Sequence, residues 1–259
     1  MAPGAPRRAF PMLNYDFPLT PRARTYLKFE SVFNRAAENR GIKTPQETIC
    51  LLRCVVDYLD LVDGTGSIKI ELLKDLERCD TRLRAWAQDP EADTDFVGQL
   101  RQGVAQAKRE LDAFTRQRTV LQSDPIIEIV KPRFHTPSGV NCFDTPLFTF
   151  WMQLPVQERL QTVDRWLHEF DCLRIPVTTI LYLWRLCADP QKRTARKGFL
   201  QEGAENCDLI NIRYDSSVRA YPVVSGFQSR INIHFIPYEK GAPVGDIPFE
   251  LAYISSSLG

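Results

Sequence analysis

The chain has 259 residues, of which 44% are hydrophobic and 25% are charged, and its formal net charge is +1. A chain of this length and composition is typical of a globular protein and can bury a substantial core in one large domain or two smaller ones. The near-zero net charge excludes a polycation, so an anionic partner must be met by a local basic patch.

Cysteine usage and the N-terminal segment indicate the compartment. Seven cysteines are scattered through the chain without a Cys-x-x-Cys pair, which favours reduced, buried thiols. Residues 1–10 contain two arginines but no apolar stretch, which is typical of a frayed tail and not of a signal peptide. No uninterrupted apolar run reaches membrane-spanning length. We therefore expect a cytoplasmic protein without a membrane segment.

Helical patterns fill about the first three quarters of the chain. After residues 13–18, which could form a short strand that joins a later sheet, Thr20 as N-cap and Pro21 begin the first helix. A second helix begins at Thr44, with Glu47 as its capping-box partner, and ends at "DGTG". Apolar spacing predicts further helices over residues 67–88, 96–116, 126–130, 147–153, 156–170 and 176–188.

The pattern changes near residue 190. Residues 192–197 predict a basic loop, and alternating or β-branched runs predict strands over residues 208–214, 225–237 and 248–255. In the second run, Ile231, Ile233 and Phe235 form the core face of the strand. We therefore predict an α+β fold, with a flexible tail over residues 1–12, a mainly helical domain of antiparallel helices over residues 13–190 and a small antiparallel β-sheet domain over residues 191–259.

Catalytic patterns are sparse in the sequence. The three histidines, His135, His168 and His234, do not fall at metal-ligand spacing, and glycine-rich phosphate loops are missing. Cys142 follows His135 in a loop, which leaves a Cys–His hydrolase open as an alternative, although a packed thiol beside a surface histidine is the simpler interpretation. The residues alone therefore predict no metal site and favour a chain without catalytic machinery.

Cationic side chains form the remaining pattern. Arg24 and Lys28 share one face near the N-terminus of the first helix, where positive charges oppose the helix dipole. Arg230 and His234 share the polar face of a predicted strand. The predicted basic loop adds Lys192, Arg193, Arg196 and Lys197. Positive charges that lie close together repel one another, and a bound anion would relieve this repulsion. We therefore interpret these residues together as a binding patch for an anionic partner.

Single-stranded nucleic acid is the alternative ligand for this patch. Basic residues beside strands that carry Tyr221, Phe227 and Phe235 are typical of proteins that stack bases on aromatic side chains. The near-zero net charge and the predicted burial of Phe235 argue against this interpretation. We therefore do not expect a nucleic-acid partner.

Five stretches in this order and spacing resemble the ZapD family of bacterial cell-division factors. The stretches are "RTYLKFE", "ELLKDLERCDTRLRAW", "CFDTPLFTFWMQLPVQER", "KGFLQ" and "YPVVSGFQSRINIHFIP". The resemblance extends from about residue 13 to about residue 252. It implies a cytoplasmic homodimer that lacks enzymatic activity and cofactors. It also implies that the dimer binds the acidic and apolar C-terminal tail of FtsZ and bundles FtsZ protofilaments at the division site.

The resemblance also assigns residues. Arg24 and Arg230 match basic positions that are associated with FtsZ binding, and Lys28 stands where relatives have Arg or Lys. His234 stands where some relatives carry Arg, and a neutral imidazole donates less to a carboxylate than a guanidinium does. Residues 192–197 align with a basic loop whose individual residues differ among relatives.

Overall fold

The computed structural model describes residues 11–115, 120–137, 139–227 and 229–256, and for Phe227 the backbone alone. Its helices are α1 (Pro21–Asn39), α2 (Pro45–Gly64), α3 (Ile68–Trp86), α4 (Thr94–Ala113), α5 (Pro125–Val130), α6 (Pro146–Met152), α7 (Val156–His168) and α8 (Asp171–Leu186). Short 3-10 helices lie at Lys131–His135 and Ser216–Val218.

The strands are β1 (Met12–Pro18), β2 (Gln191–Ala195), β3 (Phe199–Gly203), β4 (Leu209–Asp215), β5 (Ala220–Phe227), β6 (Arg230–Pro237) and β7 (Ile247–Ile254). They form two antiparallel sheets, a four-stranded sheet in the order β1-β4-β7-β2 and a three-stranded sheet in the order β3-β6-β5. The predicted α+β class, helices first and antiparallel strands after them, is confirmed.

Local capping explains why the first two helices begin where the sequence predicts. The hydroxyl of Thr20 accepts the N–H of Ala23 at 3.3 Å, and the hydroxyl of Thr44 accepts the N–H of Glu47 at 3.1 Å. The carboxylate of Glu47 accepts the N–H of Lys43 at 2.8 Å, one residue before the cap. Both starts are therefore encoded within four residues of sequence.

Two predicted elements differ from the structure in the helical part and at the tail. Helix α8 begins at Asp171 and contains Pro176, because Leu173 and Val177 continue one buried face through the proline. Met12, predicted as tail, is the first residue of β1. Residues 1–10 of the predicted tail lie outside the described residues.

The chain divides into two compact units. The helical unit comprises Thr25–Tyr182, and the sheet unit comprises the chain up to Arg24 together with the part from Leu183 onward. Aromatic rings fill the centre of the helical unit, where the ring centroids of Tyr58 and Phe170 are 4.3 Å apart.

The two sheets of the sheet unit pack face to face around a common core. Phe235 of β6 lies between Tyr214 of β4 and Phe249 of β7, with ring centroids 5.2 and 5.3 Å apart. Ile231 and Ile233 precede it on the same buried face of β6. The predicted inward face of this strand is therefore confirmed, and its polar face points away from the core.

A buried aspartate fixes the start of α1 to the sheets. Asp208, just before β4, accepts hydrogen bonds from the hydroxyl of Thr20 at 3.0 Å and from Nη2 of Arg22 at 2.7 Å. Its second carboxylate oxygen accepts the N–H of Ser256 at 2.8 Å. Burial raises the pKa of Asp208, but the hydrogen bonds from Ser256 and Arg22 outweigh that effect and leave the pKa below its usual value.

Candidate functional site

The outer face of the three-stranded sheet carries the predicted strand residues Arg230 and His234. Both side chains lie on β6, the central strand, so each has one neighbour on β3 and one on β5. Three rows therefore cross the sheet at intervals of about 7 Å. The rows are Gly203–Arg230–Phe227, Gln201–Asn232–Ser225 and Phe199–His234–Val223.

Arg230 and His234 are exposed and project from opposite ends of this face. Four residues of extended strand separate them by about 13 Å. No carboxylate within the described ranges forms an ion pair with either residue. The outward positions with described side chains include no Asp or Glu. Arg230 is therefore available to an external anion.

The middle row presents amide and hydroxyl groups. Asn232 is half-buried between Gln201 and Ser225, which are both exposed. The Oδ1 atom of Asn232 is shielded from solvent and lacks a hydrogen-bond partner among the described residues. The accessible polar groups of this row are therefore the side chains of Gln201 and Ser225.

Apolar side chains flank His234 on the two neighbouring strands, and sequence reasoning had named only Tyr221 among them. Phe199, Tyr221 and Val223 are 47%, 46% and 48% exposed. The ring of Phe199 meets the imidazole of His234 edge to face, with centroids 6.2 Å apart. Phe199 stands next to Leu200 in the sequence, and two adjacent apolar residues do not show which of them faces the core.

Residues 192–197 form a strand and a turn, so the prediction of a basic loop is wrong. Residues 191–195 pair with β7 in the four-stranded sheet, and the chain then turns back through Arg196 and Lys197 into β3 of the other sheet. Lys197 has a φ of 48°, and its N–H donates to Asp246 at 2.8 Å. Backbone pairing with a distant strand decides this conformation, and local composition does not reveal it.

The four cations of this segment consequently separate. Lys192 is exposed on the outer face of the four-stranded sheet, on the opposite side of the core from Arg230. Arg193 forms an ion pair with Glu202 at 2.8 Å. Arg196 and Lys197 are exposed in the turn that leads directly to Phe199, at the His234 end of the outer face.

The predicted cations of α1 belong to different units. Arg24 is exposed in the sheet unit, five residues after Leu19, and no ion pair joins it to a carboxylate of the described chain. A Cβ on Gly226 would lie 3.0 Å from Cδ2 of Leu19, so the residues before α1 contact the end of β5 beside Arg230. Lys28 is exposed and belongs to the helical unit.

The alternative chemical sites receive no geometric support. His135 and Cys142 are both exposed, and neither hydrogen-bonds the other within the described part of the chain. Among the residues that the structure covers, no three His, Cys, Asp or Glu side chains gather as metal ligands would. The described helices are too short or too polar to cross a membrane.

Comparison with known proteins identifies the family. The family model "ZapD: Cell division protein" matches residues 27–234. The chain is 33% identical over 240 residues to the cell division protein ZapD of Klebsiella pneumoniae (strain 342), covering 92% of this chain and 97% of that protein. It is 32% identical over 244 residues to the protein of the same name from Serratia proteamaculans (strain 568), covering 93% and 97% of the two chains.

A third relative gives the same result. The cell division protein ZapD of Photorhabdus laumondii is 31% identical over 240 residues, which cover 92% of this chain and 96% of the relative. The similarity therefore extends through both units and nearly the full length of each relative. The chain belongs to the ZapD family of cell division proteins.

Proposed function

We propose that this chain is a non-enzymatic division factor that binds the C-terminal tail of FtsZ through the outer face of its three-stranded sheet. As a cytoplasmic homodimer it would cross-link FtsZ protofilaments into bundles at the division septum. Membership of a cell division family supports the process. The observation that carries the binding mode is the exposed Arg230, which forms no ion pair with a described carboxylate, on a face whose described outward positions lack acidic residues.

The chemistry of the face suits an acidic peptide. A guanidinium offers a planar pair of N–H donors that can hold a carboxylate in two hydrogen bonds. Arg24 adds a second guanidinium within the same unit that forms no ion pair in the described part of the chain, and Arg196 and Lys197 add positive charge at the opposite end of the outer face. Lys192 and Arg193 contribute little, because the first lies on the other sheet and the second is ion-paired.

Bundling requires two such sites on one particle. A single exposed face that binds a short charged tail gives affinity in roughly the micromolar range. A dimer presents two faces to filaments that repeat the tail along their length, and effective concentration then raises the overall avidity. Exposed large apolar side chains in the helical unit, among them Ile70, Phe143 and Phe150, support a dimer interface there.

The deciding experiment compares Arg230→Glu with wild type for binding of a labelled FtsZ tail peptide and for light scattering with FtsZ filaments. The charge reversal should abolish both signals and leave the circular dichroism spectrum unchanged, because Arg230 is exposed. Arg109→Glu, on the exposed surface of α4, is the matched control and should retain both. Unchanged bundling by Arg230→Glu would contradict the proposal.

A parallel titration separates the two candidate ligands. Both an acidic peptide and single-stranded DNA would bind more weakly as salt increases, so salt dependence alone does not discriminate them. A labelled single-stranded oligonucleotide should bind more weakly than the tail peptide at physiological salt. A preference for DNA would overturn the proposal in favour of nucleic-acid binding.

A further inference from the structure

We propose that the tail lies along β6 on the outer face of the three-stranded sheet, with its apolar side chains against Phe199 and Val223 and its carboxylates at the cationic ends. This inference rests on the proposed function, and it assigns a second, uncharged half to the binding site. The binding energy would then come from apolar burial as well as from charge.

The first argument is the arrangement of exposed apolar groups. Phe199 and Val223 lie directly opposite His234 on the two flanking strands, and Tyr221 lies two residues before Val223 on the same face. Each of the three leaves almost half of its surface in water. Adjacent half-exposed side chains on one sheet face mark a surface that a partner covers.

Charge selects the class of partner. Arg230 stands at one end of the face, and Arg196 and Lys197 stand in the turn at the other end, while the row between them is uncharged. The described outward positions contain no carboxylate that would repel an anion. An extended peptide with carboxylates near its ends and apolar residues within it complements this order.

The second argument concerns the edge of the sheet that β5 forms. Strand β5 pairs only with β6 among the described strands, so its far side is an edge to which a peptide strand could be added. The N–H of Phe235 donates to Gly198 on the β3 side at 2.7 Å, so its partner Pro222 turns its backbone groups towards the open edge. Proline has no N–H to offer there, which disfavours addition of a peptide strand at the β5 edge.

The distance between Arg230 and His234 determines how far apart the acidic and apolar residues of the bound peptide should be in its sequence. In an extended chain, residues i and i+4 point the same way and lie about 13 Å apart. The same distance separates Arg230 from His234 along β6. An acidic residue and an apolar residue four positions apart would therefore meet Arg230 and the pair of Phe199 and Val223 together, with the intervening polar row available to peptide amides.

The test measures binding of a labelled synthetic FtsZ tail peptide to the full chain at several salt concentrations. Phe199→Thr and Val223→Thr keep residues suited to strands, and each should weaken binding about fivefold at every salt concentration without changing the salt dependence. Arg230→Gln should weaken binding and also reduce the salt dependence. Met12→Thr, which removes an apolar side chain that is 52% exposed on the other sheet, is the matched control and should bind as wild type does.

A second peptide, in which the apolar residues are replaced by serine, completes a double-mutant cycle. This peptide should bind wild type weakly, and Phe199→Thr should cost it no further affinity. If both threonine variants bind the natural tail as tightly as wild type, the apolar half of the site is refuted and the charge-based function stands. If wild type itself binds no tail peptide, the proposed function and this inference both fail.

Discussion

The guanidinium Nε of Arg193 lies 2.8 Å from Oε1 of Glu202, and this ion pair joins the two sheets where β2 turns into β3. The other carboxylate oxygen of Glu202 accepts the hydroxyl of Tyr253 at 2.8 Å. Burial and this hydrogen bond to the carboxylate raise the pKa of Tyr253 above its usual value. Arg193 is thus part of the architecture of the sandwich and is not a free cation.

We therefore expect Arg193→Gln to lower the free energy of unfolding and to spare tail binding. Both partners of the pair are mostly shielded from solvent, with side-chain exposures of 31% and 24%, so the loss should be about 1 kcal/mol. Urea unfolding measures the stability, and titration with the labelled tail peptide measures the binding.

Lys192→Gln is the control for this prediction. It removes the same charge one residue earlier in β2, from an exposed side chain that forms no ion pair with the described residues. It should change neither stability nor binding. If Arg193→Gln loses tail binding while its stability is unchanged, Arg193 belongs to the binding site and the structural role is contradicted.

His234→Arg should tighten tail binding several-fold at low salt. An arginine there would place a second permanent guanidinium about 13 Å from Arg230 along β6, and it would keep the contact with the face of Phe199 available through stacking. The gain should shrink as salt increases, because it comes from an exposed charge. Fluorescence titrations at two salt concentrations measure both effects.

His234→Gln separates charge from shape in the same measurement. Glutamine retains a hydrogen-bond donor without a positive charge, so this variant should bind within about twofold of wild type near neutral pH. If His234→Arg binds no better than His234→Gln at low salt, a carboxylate does not approach this end of the outer face.

Local sequence signals predicted the helices well and the strands incompletely. Thr20 and Thr44 predict where α1 and α2 begin, because each cap is a hydrogen bond between residues only three positions apart. Strand β2 consists of mainly polar residues and becomes a strand by pairing with β7, more than fifty residues later. The run over residues 225–237, predicted as one strand, contains the end of β5, a turn and β6, which together form a hairpin.

The candidate site was predictable only in part for the same reason. Arg230 and His234 were recognisable because they alternate with Ile231 and Ile233, a pattern that one strand carries by itself. The neighbours of His234 are set by strand register, which composition does not specify. The same holds for Arg193, whose partner Glu202 lies nine residues away across a turn between two different sheets.

Asp208→Asn should destabilise the sheet unit in a pH-dependent way. The side chain of Asp208 is 7% exposed and its pKa is lowered, so the charged form contributes stability above the unfolded-state pKa, near 4. That contribution disappears as the pH falls through the folded-state pKa. The variant should therefore cost about 2 kcal/mol at pH 7 and much less near pH 3.

Urea unfolding of wild type and Asp208→Asn at both pH values checks this sign. Asp215→Asn is a suitable control, because the pKa of Asp215 is also lowered, by hydrogen bonds from Ser217, while the carboxylate is fully exposed. Its effect at pH 7 should be smaller than that of Asp208→Asn. A destabilisation by Asp208→Asn that grows towards low pH would show that the hydrogen bonds from Ser256 and Arg22 do not lower the pKa of Asp208.

Bivalent cross-linking predicts that bundling passes through a maximum as the protein concentration rises at fixed FtsZ. When tails are in excess, each dimer finds free tails on two filaments and joins them. When dimers are in excess and well above the Kd, every tail is occupied by its own dimer, so second sites find no free tail. Light scattering should then fall while co-sedimentation of the protein with filaments continues to saturate. Scattering that rises to a plateau and stays there at several-fold excess would contradict cross-linking by a dimer with one tail site on each subunit.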